Sequence, residues 1–307
     1  MYLYFSGWPP CRSHADGLGN MKTITANSFT RVTLALDIIG KIASGPFKDY
    51  HELSAIKHGI GLSDAITVDK SSTTQIRCNN PLVPLDNKNS CRRALDAVRE
   101  ALSADINAAV TIDKKIPVMG GLAGGSANAA TTIVLVNTLW DLGLSKERMA
   151  EIGRTVGMDV PYFFTGNTAY DTEATGILEP ISTPLTFELV LVVPGFGVST
   201  REAYQTIDYS LIGKNIDNTM RMKAALTAGD TAGVMENMHN DFELSVFKRR
   251  PELGRIKQRL IELGCANAVM SGSGSTMMGI LDCRADPEKI RARMGHTTMI
   301  VSSKVNR

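Results

Sequence analysis

The stretch Ile116-Pro117-Val118-Met119-Gly120-Gly121-Leu122-Ala123-Gly124-Gly125-Ser126-Ala127-Asn128-Ala129-Ala130 decides how the rest of the chain is read. It places four glycines in six residues, follows them with a serine, and opens into the apolar run from Ala129 to Trp140. Glycine tolerates positive φ and lets backbone approach a ligand closely. A helix beginning at the far end of such a run presents free N–H groups and the positive end of its dipole. The combination predicts an anion cradle, and the phosphates of a nucleotide fit it. It is not a Walker A loop, because no Gly-Lys-Ser/Thr follows. Nor is it a dinucleotide fingerprint, since no acidic residue closes a following strand at the expected distance. The competing reading is a glycine-rich turn that merely caps a buried helix.

Working outward, Ala109-Val110-Thr111-Ile112-Asp113 reads as a strand feeding the cradle, and Ala127 to Leu142 as a largely apolar helix leaving it. Before the cradle, Thr23 to Ala26, Val32 to Ile38, Tyr50 to Ile60, Ala65 to Val68 and Thr74 to Arg77 are strand candidates, and Ser90 to Leu102 has helical spacing. Beyond it, Ser145 to Val156 reads as a helix with Ser145 as N-cap. Gly157-Met158-Asp159-Val160-Pro161 then breaks the pattern. Glu188 to Val193 is a buried strand. Helices follow at Ser199 to Ile207, Met220 to Ala228, Thr231 to Met238 and Pro251 to Leu263. Strands Ala266 to Met270 and Met277 to Leu281 flank a second glycine-serine turn, Ser271-Gly272-Ser273-Gly274-Ser275, before a helix near Pro287 to Met294 and a strand at Thr297 to Val301.

At 307 residues, two domains are expected, with the boundary between Thr172 and Leu185. Hydrophobic residues make up 43% and charged residues 21%, which describes a globular protein with ample core. A net charge of +2 gives no broad footprint for nucleic acid or membrane, and no apolar run approaches the ~18 residues of a membrane span. Five scattered cysteines without a Cys-x-x-Cys pair fit a reducing cytoplasm better than a disulfide framework or a zinc site. Residues 1–20 show no amphipathic period and no signal-peptide pattern; they are expected to be a disordered extension or tag.

Three spaced elements coincide: the cradle, Gly157-Met158-Asp159-Val160-Pro161, and Ser271-Gly272-Ser273-Gly274-Ser275-Thr276. As a set they resemble the GHMP kinases. Asp49-Tyr50-His51-Glu52-Leu53, Leu62-Ser63-Asp64, Ser199-Thr200-Arg201-Glu202-Ala203-Tyr204 and Asn240-Asp241-Phe242-Glu243 narrow the resemblance. They are similar to the branch that phosphorylates the 2-hydroxyl of a cytidine diphosphate-linked methylerythritol in non-mevalonate isoprenoid biosynthesis.

The resemblance implies a two-domain α+β fold. Residues 21–180 would form a ribosomal protein S5 domain 2-like ATP-binding domain, residues 181–307 a ferredoxin-like domain, and the active site would lie in the cleft between them. It implies ATP and Mg²⁺ as cofactors and a small-molecule acceptor, with no nucleic-acid or membrane partner, in a cytoplasmic monomer or homodimer. Pro117, Val118, Met119, Gly120, Gly121, Leu122, Ala123, Gly124, Gly125, Ser126 and Ala127 would bind the nucleotide, with the Ser126 hydroxyl on Mg²⁺ or a phosphate oxygen. Asp159 would be the catalytic base. Tyr50 and His51 would contact the cytosine, and Tyr204 would stack on its other face.

The chain departs from the family pattern at one place. Ala-Lys-Ile-Asn is usual where Thr30-Arg31-Val32-Thr33 stands. Arg31 would then be the cationic partner of Asp159, and Thr33 would meet the substrate without the asparagine amide. Arginine is larger and planar and is not a conservative exchange at a tight site. The departure leaves open a GHMP kinase with another alcohol acceptor, or a catalytically weak nucleotide-binding homologue.

Overall fold

The computed structural model describes residues 2–3, 11–15, 21–45, 47–282 and 285–303. In chain order these form β1 (Tyr2–Leu3), β2 (Cys11–Ala15), β3 (Met21–Lys41), β4 (His51–Lys70), β5 (Gln75–Cys78), α1 (Ser90–Leu102) and β6 (Ala108–Asp113). Then come α2 (Gly124–Leu139), α3 (Lys146–Val156), α4 (Tyr162–Thr165), β7 (Thr168–Asp171), a 3₁₀ turn (Glu173–Thr175), β8 (Leu178–Pro180) and β9 (Glu188–Val193). The remainder is α5 (Thr200–Gln205), α6 (Ile216–Ala228), α7 (Thr231–Glu236), β10 (His239–Asn240), α8 (Glu243–Arg249), α9 (Pro251–Glu262), β11 (Cys265–Met270), β12 (Met277–Leu281), α10 (Pro287–Met294) and β13 (Thr297–Ser302).

Two sheets organise the described residues. The larger runs β1-β2-β3-β4-β6-β5, with β10 pairing β3 and β7 pairing both β4 and β8. The smaller runs β11-β12-β9-β13 and is antiparallel throughout. Packed on the larger sheet, α1, α2 and α3 close one core around Ile24, Val68, Val110, Ile133 and Leu135. Helix α2 has 12 buried residues among its 16 and runs through the centre of that core. The smaller sheet buries one face with α5, α8, α9 and α10, and the other with Val32, Leu34 and Ile56 of the long strands and with α6.

Two pairs of strands expected separately are continuous. The polar interruption Asn27 to Arg31 does not break β3, because its inward side chains find partners: Ser28 accepts from Asn128, 3.1 Å away, and Thr30 donates to the Leu122 carbonyl. A buried polar side chain with a partner costs a strand little. Helix α2 begins at Gly124, three residues earlier than expected, so Ser126 lies in its first turn and does not cap it. Ser145 does cap α3, accepting from the Arg148 N–H. Of residues 1–20, expected to be a disordered extension or tag, all but 2–3 and 11–15 lie outside the described residues. Cys11–Ala15 pairs antiparallel with Met21–Thr25, and Tyr2–Leu3 pairs with Cys11–Arg12, so backbone hydrogen bonding extends the large sheet by two strands.

Candidate active site

The cradle bends through three left-handed residues, Met119 (φ 56°), Gly121 (φ 74°) and Ala123 (φ 53°), before α2 begins. Such a bend turns successive N–H groups toward one concavity, where an anion fits. The reason for glycine at 121 is visible across the fold: a Cβ there would sit 2.0 Å from the Ser271 carbonyl oxygen and 3.0 Å from the Gly274 nitrogen. The second glycine-serine turn is thus the wall of the cradle. Ser271 Oγ donates to the Gly121 carbonyl at 3.1 Å and the Thr276 N–H donates to the Gly120 carbonyl at 3.2 Å. On the other flank Asp64, buried at the end of the Leu62-Ser63-Asp64 segment, accepts the N–H groups of Lys115 and Ile116 at 2.7 and 2.8 Å. It also pairs with Lys114 and Asn128, so the chain enters the cradle on a fixed path.

Asp159 follows α3 in the turn before α4. Its Oδ2 accepts from Arg31 Nη2 and its Oδ1 from Lys57 Nζ, both at 2.6 Å. Arg31 therefore is the partner expected for Asp159, and it also donates to Thr33 Oγ1 at 2.9 Å and to the Gly121 carbonyl at 3.2 Å. Lys57 stands directly across the strand pair from Thr33. Its remaining protons go to Asp171 Oδ2 and Glu173 Oε1, each at 2.8 Å. Burial opposes the charge on Asp159, but the two cations outweigh it and hold the carboxyl far below the ordinary carboxylate range. Burial likewise disfavours the Lys57 ammonium, and the three carboxylates overcome it, raising its pKa. Glu173 shifts opposite to Asp159: burial and the neighbouring acids outweigh Lys57 and push its pKa up.

At the far end, the His51 ring stacks on Tyr204 with centroids 4.3 Å apart and planes 22° apart. His51 Nε2 is 2.9 Å from the Tyr209 hydroxyl. Tyr50, half exposed, meets Phe47 edge-on at 5.8 Å. Because His51 and Tyr204 cover one another, no slot for a base lies between them; a base can stack only on the outer faces of this pair. Burial and the nearby Lys41 hold the His51 imidazole below its ordinary pKa, which leaves a neutral ring able to donate and accept.

All three regions line one cavity of about 970 Å³, which holds Pro117 to Ser126, Arg31, Thr33, Lys57, Asp159, Glu173, Tyr50, His51, Tyr204 and Tyr209 on its walls. Ala127, buried behind Ser126, supports the helix start. Sequence reading did not find Lys57, Asp171, Glu173 or Tyr209. For Lys57 a signal existed: Ser54-Ala55-Ile56-Lys57-His58-Gly59-Ile60 sets a lysine and a histidine in an otherwise small and mostly apolar strand, and a lysine buried there must be paired. For Asp171 and Glu173 there was none, because only the pairing of β7 with β4 sets Asp171 opposite Ala55, beside Lys57.

Residues 89–167 match the family model described as GHMP kinases N terminal domain, and residues 222–299 match GHMP kinases C terminal. The chain is 36% identical, over 88% of its length and 91% of the relative's, to a protein of Thermoanaerobacter pseudethanolicus named 4-diphosphocytidyl-2-C-methyl-D-erythritol kinase. A protein of that name from Geobacter metallireducens is 38% identical, over 85% of this chain and 90% of its own. Among solved structures, a 4-(cytidine 5'-diphospho)-2C-methyl-D-erythritol kinase superposes with a TM-score of 0.73 at 24% identity, covering 91% of this chain and 98% of its own. A homoserine kinase from Cytophaga hutchinsonii gives 0.71 at 14% identity, covering 96% and 98%. These two share the fold. The chain belongs to the GHMP kinases, ATP-dependent phosphotransferases that act on small molecules.

Proposed function

We propose that the protein transfers the γ-phosphoryl group of ATP to the 2-hydroxyl of 4-diphosphocytidyl-2-C-methyl-D-erythritol, a step of non-mevalonate isoprenoid biosynthesis. The observation that carries the reading is the single cavity with a glycine cradle at one end, an ionised Asp159 between two cations in the middle, and the His51–Tyr204 pair at the other. Phosphoryl transfer needs positioning and charge stabilisation more than covalent chemistry. Pro117 to Ala127 would bind the triphosphate. Arg31, tied to both Gly121 and Asp159, would link donor and acceptor ends. Asp159 would align the attacked hydroxyl and receive its proton as the bond to phosphorus forms.

Thr33 would contact the acceptor's alcohol portion, and Tyr50, His51 and Tyr204 its cytosine, which stacks outside the aromatic pair. Tyr209 would hold the His51 ring. Mg²⁺ suits the site as an ion that arrives with the nucleotide: Ser126 offers a hydroxyl at the cradle, and the phosphates would supply the other oxygens. Bound there, Mg²⁺ would neutralise phosphate charge. The reading carries with it a cytoplasmic monomer or homodimer and a division into residues 21–180 and 181–307. Free thiols at Cys78, Cys91 and Cys265 suit a reducing compartment.

A coupled assay of ADP release with ATP, Mg²⁺ and the cytidine-linked methylerythritol tests the reading. Turnover is expected, and Asp159→Ala should lower kcat by about 10³-fold, within the range for a positioned acid or base, while leaving ATP binding intact. Acceptor-independent ADP release, or turnover only with homoserine or mevalonate, would overturn it.

A further inference from the structure

Glu173 is an unexpected occupant of its position. Its backbone is left-handed, with φ 48°, a conformation that side-chain-bearing residues rarely adopt. The surroundings over-determine it. The Glu173 N–H donates to Asp171 Oδ1 at 2.7 Å, its carbonyl accepts from Arg154 Nη1 at 3.0 Å, and Gly176 N–H closes the 3₁₀ turn on the same carbonyl at 3.1 Å. Strain of this kind persists where the fold fixes it and concentrates at functional sites. What this backbone achieves is to aim a carboxylate into the cavity. The Glu173 side chain is 21% exposed there, while Asp171, which serves the same ammonium, is 4% exposed.

One ammonium joins Glu173 to Asp159. Lys57 Nζ lies 2.6 Å from Asp159 Oδ1 and 2.8 Å from Glu173 Oε1, so these two oxygens are neighbours along the cavity wall. Lys57 spends all three protons on carboxylates, leaving none for a ligand. Among the described residues, Asp159 has one cation on each oxygen and keeps one further acceptor site on each, while Glu173 has only Oε1 engaged by its cation and Oε2 wholly free of one. Glu173 therefore keeps acceptor capacity facing the ligand space. A carboxylate placed so accepts from a hydroxyl and repels phosphate. It belongs with the alcohol.

We propose that Glu173 is a specificity-determining residue for the acceptor: Asp159 takes the attacked hydroxyl and Glu173 the hydroxyl on a neighbouring carbon, so the site selects a polyol with adjacent hydroxyls over a lone alcohol. Methylerythritol carries hydroxyls on both carbons flanking carbon 2, so the inference deepens the proposed function and rests on it for the identity of the acceptor. No bond to Glu173 forms or breaks in the transfer; its contact is a hydrogen bond from the substrate.

The test compares the cytidine-linked methylerythritol with two analogues, each lacking the hydroxyl on one carbon adjacent to carbon 2, using the full chain and its variants Glu173→Gln and Glu173→Gly. The glycine variant suits the left-handed backbone and guards against a folding defect. The wild type should lose roughly ten- to a hundredfold in kcat/KM on one analogue, the worth of a hydrogen bond to a charged group. Both variants should show little further loss on that analogue, with the ATP KM unchanged. A deoxy penalty equal in wild type and variants would overturn the proposal and leave Glu173 as a counter-charge to Lys57. If the wild type does not phosphorylate the cytidine-linked compound at all, the acceptor's identity falls separately. Glu173 is then decided by ADP release with simple vicinal diols against the matching mono-alcohols. Preference for diols lost in Glu173→Gln supports the proposal, and equal response to both overturns it.

Discussion

The cradle takes its cavity-facing surface from one unbroken run, Pro117 to Ser126, while Arg31, Lys57, Asp159, Asp171 and Glu173 converge from four separate segments. The first is backbone chemistry, in which glycines and a helix start present N–H groups whatever surrounds them. The second is side-chain chemistry, in which each charge depends on the others being in place. The difference teaches where this chain can change. Under the proposed function an altered cradle would lose the nucleotide. The charged cluster has room for exchange, and the exchange is visible: an arginine stands where the family usually has lysine, and a lysine from the neighbouring strand reaches the same carboxylate. The cation that the family pattern places on β3 is thus shared here between two strands, whose residues Thr33 and Lys57 lie directly opposite one another. On this view Arg31→Lys alone would not be a repair, because Lys57 already occupies the inner side of Asp159.

The sharpest way to break the contrast is Lys57→Met. It leaves three buried or half-buried carboxylates without their common partner and should lower folding stability by about 3–5 kcal/mol, the cost of orphaning buried charge. A urea midpoint equal to that of wild type would mean the cluster is not mutually dependent. Gly121→Ala attacks the backbone side. With a Cβ 2.0 Å from the Ser271 oxygen and φ at 74°, it should cost roughly 3 kcal/mol and raise the ATP KM more than the acceptor KM. An alanine variant with wild-type ATP affinity would show that the two glycine turns need not touch.

The same strand that turns Lys57 toward the cavity turns His58 to the opposite face, where it packs edge-on to Phe187 and its Nδ1 lies 2.8 Å from Thr168 Oγ1. Burial pushes His58 from 6.5 down to about 4. The folded state thus holds the ring neutral, so its contribution is complete above pH 6.5 and is lost as pH falls toward 4. The loss should reach roughly 3 kcal/mol over that window. His58→Asn should flatten that part of the stability profile, measured by urea melts at several pH values; an unchanged slope would place the proton elsewhere. The smallest effect is expected for Tyr209→Phe. Its hydroxyl reaches His51 at an exposed position, and removing it should raise the acceptor KM two- to fivefold, about 1 kcal/mol or less, with kcat unchanged. A fall in kcat instead would tie the aromatic end to the transfer step.

The sequence by itself determined the cradle, because glycine density and the apolar run after it are local properties that need no partner to be read. It also determined most of the elements, since α1, α3, β6, β9 and β12 follow from periodicity and caps carried within each segment. Resemblance to the family supplied Asp159, Arg31, Thr33, Tyr50, His51 and Tyr204, each on a quoted motif. Only the tertiary structure decided that β3 is one strand, because its polar middle is satisfied by Asn128 and Leu122, more than ninety residues away along the chain. It alone seated Lys57 among Asp159, Asp171 and Glu173, and laid His51 on Tyr204 instead of leaving a slot for a base. A conformational preference belongs to a residue and its near neighbours, whereas the charge state of a buried lysine belongs to whatever the fold brings against it.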